Sequence, residues 1–408
     1  MDPNTHSNVY ISAAEDAAAA VPAAASGQRP RRRRRKGLIG RFGVRGFDVP
    51  YFMLIVMLMS VGLVMLFSAS YSAAYYKYAN ATYFFTIQVL FALAGFVVMF
   101  IVMVFPYQIY HKFSVPALLV SFLLLILVLF IGENYNNATR WISIGELFTI
   151  QPSEIAKAAV IISFSSFAVR MGKRMHSLLY GIVPFLVIIG MMAVLLMKEP
   201  HLSATVIIAV TGIVIIFIAG AKISHLAIIG VVAVALFAWV VFGLGYSIDR
   251  INIWLDPYLD PKGDGYQILQ SLYAIGSGGL FGLGLGQSRQ KNLYLPEPYN
   301  DFIFAIICEE LGYVGAVLII LLFAAFVLRG YYIALKARDN FGTLIAAGVT
   351  TQIAVQVFFN IGVVSGLLPV TGISLPFFSS GGTSLLILFA ELGMVLAVSR
   401  QIPASRKG

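Results

Sequence analysis

The feature that most constrains this chain is a series of about ten apolar runs, each near the roughly 20 residues that a helix needs to cross a bilayer core. They lie near 51–70, 83–105, 115–132, 153–169, 178–197, 203–220, 225–245, 301–328, 343–365 and 380–399. Backbone polar groups in lipid must pair within their own segment, and the runs lack the alternation of a barrel strand, so helices are predicted. The expected fold class is all-α: a polytopic integral membrane protein with about ten transmembrane helices. Composition agrees, with 59% hydrophobic and only 11% charged residues in 408, which excludes a soluble domain with a polar surface.

Placing the N-terminus in the cytoplasm makes every inside connection basic: Arg31–Arg35 with Lys36, His111 and Lys112, Arg170 with Lys173 and Arg174, Lys222, Arg329 with Lys336 and Arg338, and Arg400 with Arg406 and Lys407. Outside, 71–82 holds only Lys77, 133–152 only Arg140, 198–202 only Lys198 and 366–379 no Lys or Arg. That asymmetry follows the positive-inside rule and puts both termini in the cytoplasm. The net charge of +10 then requires no nucleic-acid partner. Residues 1–46, Ala- and Pro-rich before the Arg run, read as a disordered basic cytoplasmic tail rather than a signal peptide. The membrane domain is expected over 47–400, with a large external loop at 246–300 and a second cytoplasmic tail at 401–408.

Cys308 is the only cysteine, so no intrachain disulfide forms. No metal-ligating cluster, P-loop or dinucleotide fingerprint is present. "GSGGLFGLGLGQS" (276–288) has the wrong glycine spacing for a nucleotide loop and is expected in close packing or dipping into the membrane surface.

The informative acids sit at helix entrances. In "LPEPYNDFIFAIICEELG" (295–312), Asp301 stands where a polar loop becomes an apolar helix running inward, so it is expected at the external boundary, with Glu309 and Glu310 roughly 12–13 Å deeper at 1.5 Å per residue. In "FTIQPSEIAKAAV" (148–160), Gln151, Ser153, Glu154 and Lys157 occupy the first turns of another inward helix, and Glu154 and Lys157 at i and i+3 can pair. Capping is the structural alternative for Asp301 and Ser153, and self-neutralisation for insertion is the alternative for the Glu154–Lys157 pair. Ionisable groups at span edges are costly and mark functional sites by default. Gln352, Gln356 and Asn360 form a polar stripe on the ninth helix, whose commoner use is interhelical hydrogen bonding. Glu391, mid-span on the last helix, needs a polar partner. In the loop 246–300, Ile268, Leu269, Leu272 and Ile275 have the spacing of an interfacial helix, and Asp256, Asp260 and Asp264 read as turn and cap residues. A loop of this size above an acidic cavity suggests a lid or substrate platform.

Three long segments now stand together: "RWISIGELFTIQPSEIAK" (140–157), "GYQILQSLYAIGSGGLFGLGLGQSRQKNLYLPEPYNDFIFAIICEELG" (265–312) and "GLLPVTGISLPFFSSGGTSLL" (366–386). In this order on a ten-span chain they resemble the SEDS family of bacterial shape, elongation, division and sporulation proteins. "GLLPVTG" and the N-terminal extension are more similar to the division and sporulation branches, FtsW and SpoVE, than to the elongation branch, RodA. The chain departs from the pattern at "YND" for "HTD", "FFSSGGTS" for "FISYGGSS" and "GSGG" for "GRGG", the last removing an Arg near the site.

The resemblance implies a glycosyltransferase that polymerises lipid II outside the bacterial cytoplasmic membrane. Its essential loop-to-helix acid falls on Asp301, the expected base toward the 4-hydroxyl of the acceptor's N-acetylglucosamine. The Glu and Lys of its "QPSExxK" motif fall on Glu154 and Lys157. Lys157, with Arg140 or a divalent cation such as Mg²⁺ or Mn²⁺, would meet the pyrophosphate, and Glu154 would hold Lys157. Gln151, Ser153, Ser379 and Ser380 complete the candidate substrate-binding set. The family also implies a class B penicillin-binding protein as crosslinking partner, alongside other division or sporulation membrane proteins. A lipid II flippase, which a bundle with intramembrane acids also resembles, and a noncatalytic scaffold for the transpeptidase are the competing readings.

Overall fold

The computed structural model describes residues 46–402 except 136–137, 145–147, 240–242, 244–247 and 264. The two tails, apart from their innermost residues, and Asp264 lie outside the described residues.

Eight helices are long and apolar enough to cross a membrane: α1 (Val49–Tyr78), α2 (Tyr83–Val104), α3 (Tyr110–Ile131, entered through a 3₁₀ turn), α4 (Pro152–Met171), α5 (Val183–Lys198, entered through a π turn), α10 (Ile303–Lys336), α11 (Asn340–Val364) and α12 (Gly382–Ser399). Two shorter apolar helices, α6 (Leu202–Ile218) and α7 (Ile223–Ala238), complete the ten expected runs. The remaining helices, α8 (Ile248–Leu255) and α9 (Tyr266–Ser277), lie within the predicted external loop. The all-α membrane fold is therefore as the sequence predicts.

Burial ranks the helices. In the apolar window of α11, 72% of residues are buried and in α12 67%, against 28% in α2, α3 and α5. The outer helices turn residues such as Leu90, Leu93, Leu119 and Leu123 outward, as lipid-facing helices do. The enclosed position of α11 explains how it carries Gln352, Gln356 and Asn360: their amides face protein rather than hydrocarbon.

One end of the bundle is fastened by a bidentate pair, Arg329 Nε to Asp48 Oδ1 at 2.9 Å and Arg329 Nη2 to Asp48 Oδ2 at 2.8 Å. Asp48 Oδ1 also accepts from Tyr51 N, capping α1, and Asp48 N donates to Ser399 Oγ. The start of α1 and the ends of α10 and α12 are thereby joined, and Arg400 adds a bond to the Met103 carbonyl at the end of α2.

Two features depart from the expected pattern. Between α3 and α4 lies a small antiparallel sheet, β1 (Glu133–Tyr135), β2 (Ala138–Ile144) and β3 (Phe148–Ile150), in the order β1-β2-β3. Its strands are too short to leave a periodic signal, although "TRWISI" and "FTI" have the β-branched and aromatic residues that favour strands. The second departure is in α10, which was expected to run unbroken: Gly312 has φ +68° and ψ −170° and interrupts it after Leu311. Only glycine takes that conformation at little cost. The released groups pair with the glycine-rich segment, Leu283 N and Gly284 N donating to the Glu309 and Glu310 carbonyls, and Tyr313 N and Val314 N donating to Gly279 and Leu280. "GSGGLFGLG" is thus a backbone patch over a helix break, since a side chain at Gly278 or Gly282 would strike the Cys308 or Glu310 carbonyl of α10. Glu309 and Glu310 therefore lie in the short helical segment ahead of the kink at Gly312.

Candidate functional site

At the opposite end of the bundle from the Asp48–Arg329 clasp, a cavity of about 530 Å³ opens among the N-terminal ends of α4 and α12, the C-terminal half of α11, the sheet and the loops before α10 and α12. Asp301, Arg140, Gln151, Glu154, Ser379 and Ser380 all line it. Two of the sequence-predicted residues do not. Ser153 is fully buried inside the first turn of α4 with its hydroxyl unpartnered, and Gln151, not Ser153, is the N-cap residue. Lys157 lies behind the wall, 3% exposed, with Nζ 2.7 Å from Glu154 Oε1. The expected i, i+3 pair therefore forms, with the carboxylate facing the cavity and the ammonium neutralising it from within.

Asp301 is half-buried. The capping alternative is absent: Phe302 is the N-cap residue of α10, it makes no side-chain cap bond, and no described residue hydrogen-bonds to the Asp301 carboxylate. The Asp301 backbone is held instead, its carbonyl accepting from Asn360 Nδ2 at 2.7 Å, while the same amide nitrogen reaches the Ile373 carbonyl at 2.7 Å. Gly372, at φ +67°, passes so close that a Cβ there would stand 3.4 Å from Asp301 Oδ2. Its neighbours are tied in by Ser379 Oγ donating to the Asn300 carbonyl at 2.7 Å, Leu375 N donating to Ser379 Oγ at 2.7 Å, and Ser380 N donating to the Tyr299 carbonyl at 3.0 Å. Gln88 of α2 closes the seam through the Ser379 carbonyl and Gly381 N. Ser379 is consequently a stitch between loops, and Ser380 is the hydroxyl left half-open to the cavity.

Burial pushes the Asp301 carboxyl up to about 6; the nearby Glu297 carboxylate pushes in the same direction and the Arg140 guanidinium opposes both. A base with that affinity ionises as pH rises through about 6. Any reaction in which Asp301 serves as a general base is therefore expected to speed up across that range. Initial rates against pH should show the limb shifted to lower pH in Glu297→Gln, which removes a like charge, and to higher pH in Arg140→Ala, which removes an opposite one.

The sequence reading missed several cavity residues. Arg250 of α8, Glu297, His201 and Gln267 line the wall; Arg250 and His201 stand outside the three motifs, whereas Gln267 and Glu297 lie within 265–312, Glu297 four residues before Asp301. Arg140, carried by β2, turns toward the segment joining α5 and α6, with Nε 3.4 Å from the Glu199 carbonyl and Nη2 on the Pro200 carbonyl. Glu199 is fully buried with both carboxylate oxygens unpartnered among the described residues, and burial raises its carboxyl to about 8, so it is largely protonated near neutral pH. Glu391, whose partner the sequence could not name, accepts from Gln352 Nε2 at 2.7 Å and forms part of the cavity floor.

Beside the cavity, Glu309 and Glu310 brace the segment that leads to Asp301. Glu309 accepts from Arg289 N at 2.9 Å and from Ser288 Oγ. Glu310 accepts from Lys291 Nζ at 2.7 Å and from Ser68 Oγ of α1 at 2.7 Å. Both carboxylates are 1% exposed.

Comparison with known proteins matches residues 49–403 to the FtsW/RodA/SpoVE family of cell cycle proteins. The chain belongs to this family. It is 44% identical to the stage V sporulation protein E of Bacillus subtilis over 86% of this chain and 97% of that protein. It is 38% identical to a probable peptidoglycan glycosyltransferase FtsW of Trichlorobacter lovleyi over 88% and 94%. Among solved structures, a chain of a peptidoglycan synthase complex described as coordinating polymerization and crosslinking superposes with TM-score 0.74 at 26% identity, covering 87% of this chain and 98% of that one. The rod shape determining protein RodA of Thermus thermophilus superposes with TM-score 0.65 at 26% identity over 88% and 98%. The SEDS resemblance read from the three motifs, with its lean toward FtsW and SpoVE, thus holds.

Proposed function

We propose that this SEDS protein is a peptidoglycan glycosyltransferase that polymerises lipid II on the outer face of the bacterial cytoplasmic membrane, in division or sporulation. The observation that carries this reading is the Asp301 carboxylate: without a hydrogen-bond partner among the described residues, held by its backbone, and facing a cavity that also presents the Arg140 cation. A positioned carboxylate with raised proton affinity is suited to take the proton from the acceptor's 4-hydroxyl as that oxygen attacks the anomeric carbon of the donor. The bond to the pyrophosphate breaks on the opposite face, so an α-linked donor gives a β-linked strand. Arg140 and Arg250, the arginines of the cavity wall, are placed to meet the departing phosphate charge. Lys157 acts one step removed, by keeping Glu154 neutralised and in place.

Among the described residues no three His, Cys, Asp or Glu side chains gather as a metal site. A divalent cation would be held by the substrate's phosphates with one or two carboxylates, and every step above runs through the chain's own residues. Both termini are assigned to the cytoplasm, which puts the cavity outside, and a transpeptidase with one membrane span is assigned as partner.

The test is polymerisation of lipid II by the purified full-length chain with its cognate transpeptidase, with Mg²⁺, Mn²⁺ or chelator, read as glycan ladders on a gel. Ladders establish the enzyme. Their absence from an intact complex, together with movement of labelled lipid II across liposomes, would replace it with the flippase reading.

A further inference from the structure

The segment joining α5 to α6 holds a buried acid that the reaction above does not use. The end of α5 is wrapped, with Glu199 N donating to the Leu195 carbonyl at 3.3 Å and His201 N to the Leu196 carbonyl at 2.9 Å. The Glu199 and Pro200 carbonyls are left to Arg140 of β2, which covers both. A guanidinium over the last carbonyls of a helix is an ordinary cap. The side chain beside it is not ordinary. Glu199 is fully buried, and neither of its carboxylate oxygens has a partner among the described residues. A buried carboxyl without donors is stable only while it keeps its proton.

Among the described residues few other charges approach it. His201, on the same segment, is held neutral, because burial, Arg140 and Lys157 of α4 all drive its proton affinity well below the usual imidazole range. Glu154 of α4 is occupied by Lys157. Lys198 at the end of α5 is exposed, and α6 contains no titratable side chain. Arg140 is the cation that acts on Glu199.

We propose that Glu199 decides where the Arg140 guanidinium rests: the neutral acid leaves it on the two carbonyls at the cavity wall, and the carboxylate draws it inward, out of reach of ligand anions. A charge-assisted, two-pronged bond to a carboxylate is roughly twice as strong as bonds to neutral carbonyls, so ionisation reverses the preference. Burial raises this carboxyl to about 8, with Arg140 opposing. Anion capture at Arg140 is therefore full below that value and falls as pH rises through it. By reciprocity, an anion bound at Arg140 makes Glu199 take up a proton. Asp301 as an ionised base above about 6 and Arg140 in place below about 8 then define a window for the chemistry. Glu199 is a positioning residue in this scheme. That the anion is a diphosphate rests on the glycosyltransferase reading; where the guanidinium rests does not.

The full-length chain in phosphatidylcholine nanodiscs is treated with p-hydroxyphenylglyoxal across neutral to alkaline pH. Labelling of Arg140 is read by peptide mass spectrometry against Arg250, which is exposed on the same cavity wall. The Arg140-to-Arg250 ratio is expected to fall about fivefold or more in the wild type, with its midpoint near the Glu199 value of about 8. It should stay level in Glu199→Gln, which keeps the shape and cannot ionise. Affinity for geranyl-diphospho-N-acetylglucosamine, a diester whose charge is constant over this range, should drop about tenfold in the wild type alone. A level ratio in the wild type would overturn the proposal whether or not the variant folds. An equal fall in both chains would overturn it too, as a general loosening of the bundle. A falling ratio with unchanged affinity would leave Glu199 as the positioning residue and remove Arg140 from the phosphate contacts of the glycosyltransferase reading instead.

Discussion

Asp301→Asn is expected to remove polymerase activity, by about 10²–10⁴-fold if its contribution is that of a general base, without loss of folded protein. The stability half of the result follows from proton affinity. The Asp301 carboxyl holds its proton more tightly in the folded chain than the value of 3.8 in free solution, at about 6, so at neutral pH its ionised form costs folding free energy. An amide of the same shape removes that cost and keeps the Asn360 bond, which goes to the backbone. The variant should therefore melt no lower than the wild type while its glycan ladders disappear. Retained ladders would remove the base assignment, and a lower melting temperature would show that the carboxylate has a structural partner.

Glu310→Ala is expected to have the opposite profile. The Lys291 ammonium, 5% exposed as a residue, would keep only the Ser68 hydroxyl at 3.0 Å after losing its carboxylate. Leaving one member of a buried pair uncompensated costs about 3–5 kcal/mol. Detergent-solubilised protein should lose its monodisperse peak on size exclusion and melt earlier. Replacing both members, Lys291→Met with Glu310→Leu, should recover most of that loss, because apolar residues of similar volume can substitute for a buried ion pair. Failure of the double variant to recover would mean that the Ser68 and Ser288 bonds to Glu310, rather than charge balance, hold the segment.

How far the sequence discloses this site depends on the distance over which each signal acts. Span number follows from composition over about 20 residues, and the Glu154–Lys157 pair from one helical turn, so both are legible. Asp301 is legible because a polar loop meets an apolar helix there, although the same signal fits a cap, and only the structure shows the carboxylate uncapped. Arg250 and His201 reach the cavity through tertiary placement alone and stand in no local pattern, while Glu297 lies in the same loop as Asp301, four residues before it. Ser153 shows the converse: its motif is right, yet helical geometry turns it into the core while Glu154 faces the cavity. The break in α10 was hidden because Gly312 lies inside a single expected span, and its partner "GSGGLFGLG" is about 30 residues upstream.

The backbone bonds that join Tyr299 and Asn300 to Ser379 and Ser380 bear on how this protein can be recombined with its relatives. Two segments almost 80 residues apart act as one part, cut from a single mould. A chimera that takes 366–386 from one relative and 295–301 from another would divide that part, whereas one that exchanges both, with Gln88, would carry it whole. Recombination of this chain is thus constrained not only by the order of its helices but by which pairs of loops must travel together.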